Sequence, residues 1–132
     1  MSAFASIEDA REYFKNDLFA MNAGITLDEL WEGGCVCSMP IGDMHKNAAG
    51  GVMGGAIFTL ADFAFAAASN NMHRTTVAQQ VSVNFLSGTK GSRLFARAQC
   101  KKDGKTTCVY NIDVTDDLGR DIAQFVGTGY KL

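Results

Sequence analysis

One stretch decides the fold of this chain, namely residues 50–69, which read GGVMGGAIFTLADFAFAAAS. Apolar residues recur there at the spacing of a single helix face, at positions Ile57, Leu60, Ala61, Ala64 and Ala68. The pattern predicts one long helix that begins near Gly54 and packs this face against a sheet.

The segments around this helix predict antiparallel strands. Apolar and polar residues alternate over residues 81–85 and 94–101, and two more strands are expected over residues 106–114 and 121–130. A hairpin around Gly33-Gly34 is expected between about Gly24 and Pro40, and a short amphipathic helix follows Ser6. Antiparallel meander connections are the simplest topology, so the predicted class is α+β.

Length and charge exclude several classes of protein. The chain has 132 residues, a net charge of −2 and 47% hydrophobic residues, which is typical of one globular domain. Lys and Arg are balanced by Asp and Glu, without a run of like charges, so we expect no nucleic-acid partner. A membrane span is not expected either, because the apolar stretch is short and contains an Asp.

The four cysteines predict neither a disulfide framework nor a metal site. Cys35 and Cys37 are too close for a Cys-x-x-Cys motif, and no second ligand pair is present. A two-residue turn at Asp103-Gly104 would place Cys100 and Cys108 on opposite faces of their hairpin. The N-terminal residues lack the features of a secretory signal. We therefore expect reduced, buried thiols in a cytoplasmic protein without cofactor or metal.

Asp62 is the only formal charge between Lys46 and His73. It lies off the apolar face, on the side that holds Thr59, Ala66 and Ser69, with Phe58 and Phe65 one turn away. This side is either simply solvated or borders an apolar cavity or a subunit interface. In the second case burial would tune the carboxylate for proton transfer or nucleophilic attack.

Two glycine pairs precede the helix, at residues 50–51 and 54–55. Neither pair belongs to a phosphate-binding motif. A helix that begins near Gly54 has unpaired N–H groups at the positive end of its dipole, which is where an oxyanion is stabilised. Close packing that requires small residues is the alternative explanation of these glycines.

Residues 47–62, NAAGGVMGGAIFTLAD, resemble the signature of hotdog-fold acyl-CoA thioesterases of the PaaI (phenylacetate-pathway) type. Residues 83–91, VNFLSGTKG, resemble the strand and loop after that family's central helix. The resemblance implies a single hotdog domain over residues 1–132, with an antiparallel sheet wrapped around one long central helix. It also implies hydrolysis of an acyl-CoA substrate.

The resemblance also implies roles for individual residues. Asp62 would be the catalytic carboxylate, as nucleophile or as general base, the Gly54 N–H would bind the thioester oxygen, and Asn47 would orient the thioester or the water. Residues expected to contact substrate are Met53, Gly55, Phe58, Ser87 and Lys90, the last through a CoA phosphate. Met53 stands where the family commonly has His, which removes any polar side-chain role there. His45 is expected to be a loop surface residue.

The spacing of Gly54 and Asp62 predicts a site shared between subunits. The two residues are eight positions apart, which is about 12 Å along a straight helix. One thioester carbon cannot lie within reach of both. The carboxylate should therefore come from a second copy, in agreement with the homodimer, or homotetramer built as a dimer of dimers, that the resemblance implies.

Two other functions remain open from the sequence. A non-catalytic acyl-CoA or acyl-ligand binding module on the same fold is one alternative, and Met53 favours it. Hydratase or dehydratase chemistry is the other, although such chemistry normally requires a His beside the helical acid.

Overall fold

The computed structural model describes residues 2–132, which form three helices and one six-stranded sheet. The helices are α1 (Ile7–Phe14), α2 (Leu18–Asn22) and α3 (Gly54–Met72), and a 3-10 turn spans Asp43–His45. The strands are β1 (Thr26–Trp31), β2 (Gly34–Pro40), β3 (Thr76–Phe85), β4 (Arg93–Asp103), β5 (Thr107–Asp116) and β6 (Asp121–Lys131). All pairings are antiparallel, and α3 contacts every strand. The α+β prediction is confirmed.

The local predictions for the first third of the chain are confirmed, with one omission. The Ser6 hydroxyl accepts a hydrogen bond from the Asp9 N–H at 3.2 Å and caps α1, as its sequence indicates. The hairpin of β1 and β2 turns at Gly33, whose φ of 89° requires glycine. The short helix α2 was not predicted, because five residues are too few to show a helical period.

The meander prediction is wrong for β3. The sheet order is β1-β2-β4-β5-β6-β3, so only β4, β5 and β6 follow one another as a meander. The helix between β2 and β3 has 19 residues and is about 28 Å long. In this order β2 and β3 lie four strand spacings apart, which is roughly 19 Å. The helix therefore carries the chain across the sheet, and β3 becomes the edge strand beside β6.

The expected register of the Asp103-Gly104 turn is also wrong. Asp103 pairs with Cys108, and a shift between Cys100 and Lys102 leaves Cys100 opposite Tyr110. Cys100 and Cys108 therefore point to the same face of the sheet, because directly opposed residues share a face and residues two apart on a strand do too. All four cysteines are free thiols, as expected.

The face of α3 predicted from the sequence is buried against the sheet, and the exposed fraction of each of its five residues is 7% or less. Phe65 is buried as well, and its ring packs edge-on against Tyr110 with the ring centres 5.7 Å apart. It fits where β6 has Gly127 and Gly129. Within residues 2–132, no helix is both long and apolar enough to cross a membrane.

We expect Gly129→Ala to lower the free energy of unfolding by about 1–3 kcal/mol, because the added methyl would overpack the core. An ideal Cβ there would stand 2.7 Å from the Cys108 Sγ and 2.9 Å from the Phe65 ring. Urea unfolding measures the change. Gly88→Ala is the control, because its Cβ meets nothing within 4 Å. Equal stability of the two variants would contradict this packing.

Candidate active site

The start of α3 presents unpaired backbone donors. The helix begins at Gly54, as predicted, and Met53 occupies the N-cap position without a side-chain capping bond. The N–H groups of Ala56 and Ile57 both donate to the Met53 carbonyl. Nothing in residues 2–132 accepts a hydrogen bond from the N–H of Gly54 or Gly55. These two groups are available to a ligand oxygen at the positive end of the helix dipole.

A tight loop sets the entry into α3. The Asn47 Oδ1 accepts from the N–H groups of Ala49 at 3.0 Å and Gly51 at 3.1 Å, and the Asn47 N–H donates to the Gly51 carbonyl at 2.7 Å. Gly50 has a φ of 88°. The oxygen of Asn47 is thus used to shape the loop, whereas its amide nitrogen donates to no residue of the described chain.

A cavity of about 500 Å³ lies beside Gly54. The Phe85 ring, which is 55% exposed, lies 3.2 Å from the place where a Gly54 Cβ would stand. We call this the Gly54 cavity, and its lining consists of Gly51, Val52, Gly54, Ile57, Phe85, Leu86, Ser87, Gly88, Thr89 and Ile122. Of the residues predicted to contact substrate, Ser87 is in this set.

The loop of residues 87–92, whose first three residues line the Gly54 cavity, is tied to the turn between β5 and β6. The Thr89 hydroxyl donates to the Asp116 carboxylate at 2.6 Å, and Arg120 Nη1 donates to the Gly88 carbonyl at 3.3 Å. The bond from Thr89, followed by that from the Arg120 N–H, lowers the pKa of Asp116. Lys90 is exposed on this fixed loop.

Asp62 borders a second cavity, of about 300 Å³. We call it the Asp62 cavity, and its lining consists of Asp17, Phe19, Ala20, Phe58, Thr59, Asp62, Phe63 and Ala66. No residue of the described chain forms a hydrogen bond or ion pair with the Asp62 carboxylate. Burial raises the pKa of Asp62, and the negative charge of Asp17 raises it further.

Two neighbours expected beside Asp62 lie elsewhere. Phe65 is 1% exposed and faces the sheet, and Ser69 is 2% exposed in the interior. Phe58, Thr59 and Ala66 do line the cavity with Asp62. Residues one turn apart along a helix still differ in direction, so the deeply buried face of α3 is broader than its aliphatic stripe indicates.

Two residues of the Asp62 cavity, Asp17 and Phe19, were not predicted from the sequence; α2 and its N-cap bring them there. Phe19 is 76% exposed. The only local signal is an acidic residue directly before a short apolar run, which is typical of a helix N-terminus and says nothing about α3.

Gly54 and Asp62 do not meet within one chain. Both belong to α3, eight residues and about 12 Å apart along its axis. The Gly54 cavity and the Asp62 cavity share no lining residue. The remaining predicted site residues, Asn47, Met53, Gly55 and Lys90, line neither cavity of the described chain.

Comparison with known proteins gives the family of this chain. The family model described as "Thioesterase superfamily" matches residues 49–123, a range that contains α3 and the Gly-rich segment at its start. The chain belongs to the thioesterase superfamily. The acyl-coenzyme A thioesterase PaaI of Escherichia coli strain K12 is 32% identical to this thioesterase over 126 residues, covering 95% of the chain and 90% of the relative. A putative esterase of Archaeoglobus fulgidus is 33% identical over 96% of the chain and 83% of its own length.

Solved structures agree with this membership. The structure of E. coli PaaI superposes on this thioesterase with a TM-score of 0.90 at 31% identity, covering 96% of this chain and 92% of that one. A hypothetical thioesterase of Streptococcus pneumoniae, solved with coenzyme A, has a TM-score of 0.82 at 26% identity, over 89% and 94% of the two chains. The predicted hotdog fold and the PaaI-type resemblance are confirmed, and the chain is a thioester hydrolase.

His45 of this thioesterase is a buried residue, not the surface residue expected. It is 5% exposed. Its Nδ1 accepts from the Gly42 N–H at 2.9 Å, and its Nε2–H donates to the Ala23 carbonyl at 2.7 Å. Its carbonyl accepts from the Met53 N–H at 2.7 Å. His45 thus joins the end of α2 to the residue that leads into α3.

We expect His45→Met to lower the free energy of unfolding by about 1–3 kcal/mol, because it leaves buried backbone groups of Gly42 and Ala23 without partners. His45→Asn should recover part of the loss, since its Oδ1 can still accept from Gly42. Chemical denaturation measures both variants. A Met variant as stable as the parent protein would show that the two ring hydrogen bonds do not support the loop.

Proposed function

We propose that this thioesterase hydrolyses acyl-CoA thioesters at a site formed by two copies of the chain. The Gly54 N–H of one copy binds the thioester oxygen, and Asp62 of the other copy acts on the carbonyl carbon. The observation that carries this proposal is the separation of Gly54 from Asp62 by about 12 Å of one rigid helix. Their placement in two cavities with no common residue supports it further.

The relatives support a CoA ester as the substrate. The E. coli relative is an acyl-coenzyme A thioesterase, the S. pneumoniae structure contains coenzyme A, and a Streptococcus mutans structure contains acetyl CoA. The latter superposes with a TM-score of 0.77 at 28% identity, over 80% of this chain and 86% of that one.

In the proposed reaction Asp62 acts as general base. Its carboxylate takes a proton from water, and the water oxygen bonds to the thioester carbon. The carbonyl oxygen becomes an oxyanion, which accepts a hydrogen bond from the Gly54 N–H. When the tetrahedral intermediate collapses, the C–S bond breaks and the CoA sulfur takes the proton back from Asp62. The products are a carboxylic acid and free CoA thiol. The raised pKa of Asp62 supports this role over that of nucleophile.

The edge strand β3 supports a second copy. Its ten residues, TVAQQVSVNF, include no charge. Thr76 is buried, whereas seven of the other nine residues are exposed and two, Val81 and Val83, are half-buried. It pairs with β6 on one side, and no strand of the described chain pairs with its other side. Edge strands of monomers are usually blocked by charge, proline or a covering element, so this edge is suited to antiparallel pairing with another chain.

The other residues predicted for the site can be given roles in this mechanism from where they lie. Ser87 lines the Gly54 cavity, and Lys90 lies exposed three residues further on the same loop, where its ammonium can meet a CoA phosphate. Phe58 lines the Asp62 cavity, where we place the acyl group of the substrate. Met53 and Gly55 flank the oxyanion donor in sequence. The free amide nitrogen of Asn47 is the group that would orient the thioester or the water.

We expect Gly54→Pro to lower kcat for acyl-CoA hydrolysis by about 10²–10³-fold, because it removes the oxyanion donor. Proline fits the first position of a helix, and Met53, with φ −64° and ψ 137°, already has the backbone that precedes proline. Gly54→Ala is the matched control, since it adds a Cβ beside Phe85 but keeps the N–H. Release of CoA thiol is followed with a thiol reagent.

We expect Asp62→Asn to lower kcat about as much as Gly54→Pro does. When these two variants are refolded together, activity should return. Each mixed dimer would contain one intact pair of Gly54 and Asp62, which gives about a quarter of the parent activity in a random mixture. If each chain contains a complete site, mixing restores nothing, and the shared-site mechanism is wrong.

The pH profile should depend on Asp17. Asp62 works as the ionised carboxylate, so kcat/KM falls as the pH drops through its raised pKa. Asp17→Asn removes a like charge, lowers that pKa and moves the acid limb to lower pH. Glu12→Gln removes an equal charge from an exposed ion pair with Lys15 and should move nothing. An acid limb that stays in place in Asp17→Asn would contradict the role of Asp62 as base.

A further inference from the structure

A third, smaller cavity shares the lining residue Phe63 with the Asp62 cavity. It has a volume of about 170 Å³ and is lined by Arg11, Phe14, Met21, Ile25, Thr26, Leu27 and Phe63. We call it the rear cavity. Phe63 is the one residue in the described chain that lines both this cavity and the Asp62 cavity.

The rear cavity is suited to hydrocarbon. Five of its lining residues are apolar, and both polar ones already have partners. Arg11 Nε donates to the Leu27 carbonyl at 2.9 Å, and the Thr26 hydroxyl donates to the Asp28 carboxylate at 2.8 Å. An apolar group that entered this space would be removed from water without breaking either of these two hydrogen bonds.

Phe63 and helix α2 border both cavities. Phe63 is 3% exposed, and its ring is held by an edge-on contact with Phe14, the ring centres being 5.4 Å apart. In α2, Ala20 lines the Asp62 cavity and the next residue, Met21, lines the rear cavity. One aromatic ring and one short helix therefore close the Asp62 cavity on this side.

We propose that Phe63 is the residue that limits the length of the acyl group. This inference rests on the proposed function, in which the acyl group of the CoA ester occupies the Asp62 cavity. The native enzyme takes compact acyl groups that end at the Phe63 ring. Removing the ring joins the rear cavity to the Asp62 cavity and adds apolar space for a longer chain.

The test compares kcat/KM for acetyl-, butanoyl-, octanoyl- and dodecanoyl-CoA in the native enzyme, Phe63→Ala and Phe63→Leu. The ratio of octanoyl-CoA to butanoyl-CoA should rise at least about tenfold in Phe63→Ala, mainly through a lower KM, because each methylene accommodated in an apolar pocket favours the longer substrate. Phe63→Leu should show a smaller rise in the same direction. It retains a large apolar side chain, so the test remains decisive if the Ala variant does not fold.

A second-site change provides the control. Met21→Phe places a larger side chain in the rear cavity, so combined with Phe63→Leu it should return the ratio to the native value. In the native background Met21→Phe should leave butanoyl-CoA hydrolysis unchanged, since Met21 does not line the Asp62 cavity.

The outcomes separate the two proposals. If the native enzyme hydrolyses acyl-CoAs but neither Phe63 variant changes the ratio, the role of Phe63 is wrong and the proposed function stands. If the double variant keeps the raised ratio, the longer chains do not enter the rear cavity and the inference is also wrong. If the native enzyme releases thiol from none of the four esters, the proposed function fails, and this inference fails with it.

Discussion

The packing of a single rigid helix, α3, against the sheet is the constraint on which the rest of the structure depends. The helix contacts all six strands, and Phe65 on its inner face fits where β6 has only the hydrogen atoms of Gly127 and Gly129. A helix rises by about 1.5 Å per residue and does not bend easily. Once α3 is packed, the positions of Gly54 and Asp62 relative to each other are fixed.

This rigidity separates the chemistry of the chain into two parts. The unpaired N–H groups lie at the start of α3, beside a cavity bounded by residues 85–89, and the carboxylate lies two turns further on, beside α2. Hydrogen bonds fix the segments around these groups. His45 holds the end of α2 through Ala23, and Asp116 holds the loop beside the Gly54 cavity through Thr89. In the mechanism that we propose, a second copy of the chain brings its carboxylate to the thioester that the oxyanion donor of the first copy binds. The uncharged edge of β3 is where we propose that this second copy pairs.

The predictions from sequence succeeded where the signal is local and failed where it is not. The start of α3 at Gly54 and the capping of α1 by Ser6 depend on neighbouring residues, and both were predicted. The register of Cys100 against Tyr110 depends on a bulge that no short pattern records. His45 was wrongly expected on the surface. Its burial depends on a contact with the Ala23 carbonyl, 22 residues away in sequence, which no local pattern indicates.

The long helix, the antiparallel strands and the distance between the helix start and its single charge could all be predicted from the amino-acid sequence, because helical and strand periods are set over a few residues. Three other features are set by the folded chain: β3 is the edge strand, Asp17 borders the Asp62 cavity, and Phe63 lines both this cavity and the rear cavity. These features arise from contacts between segments far apart in the chain, whose relative positions depend on how α3 crosses the sheet.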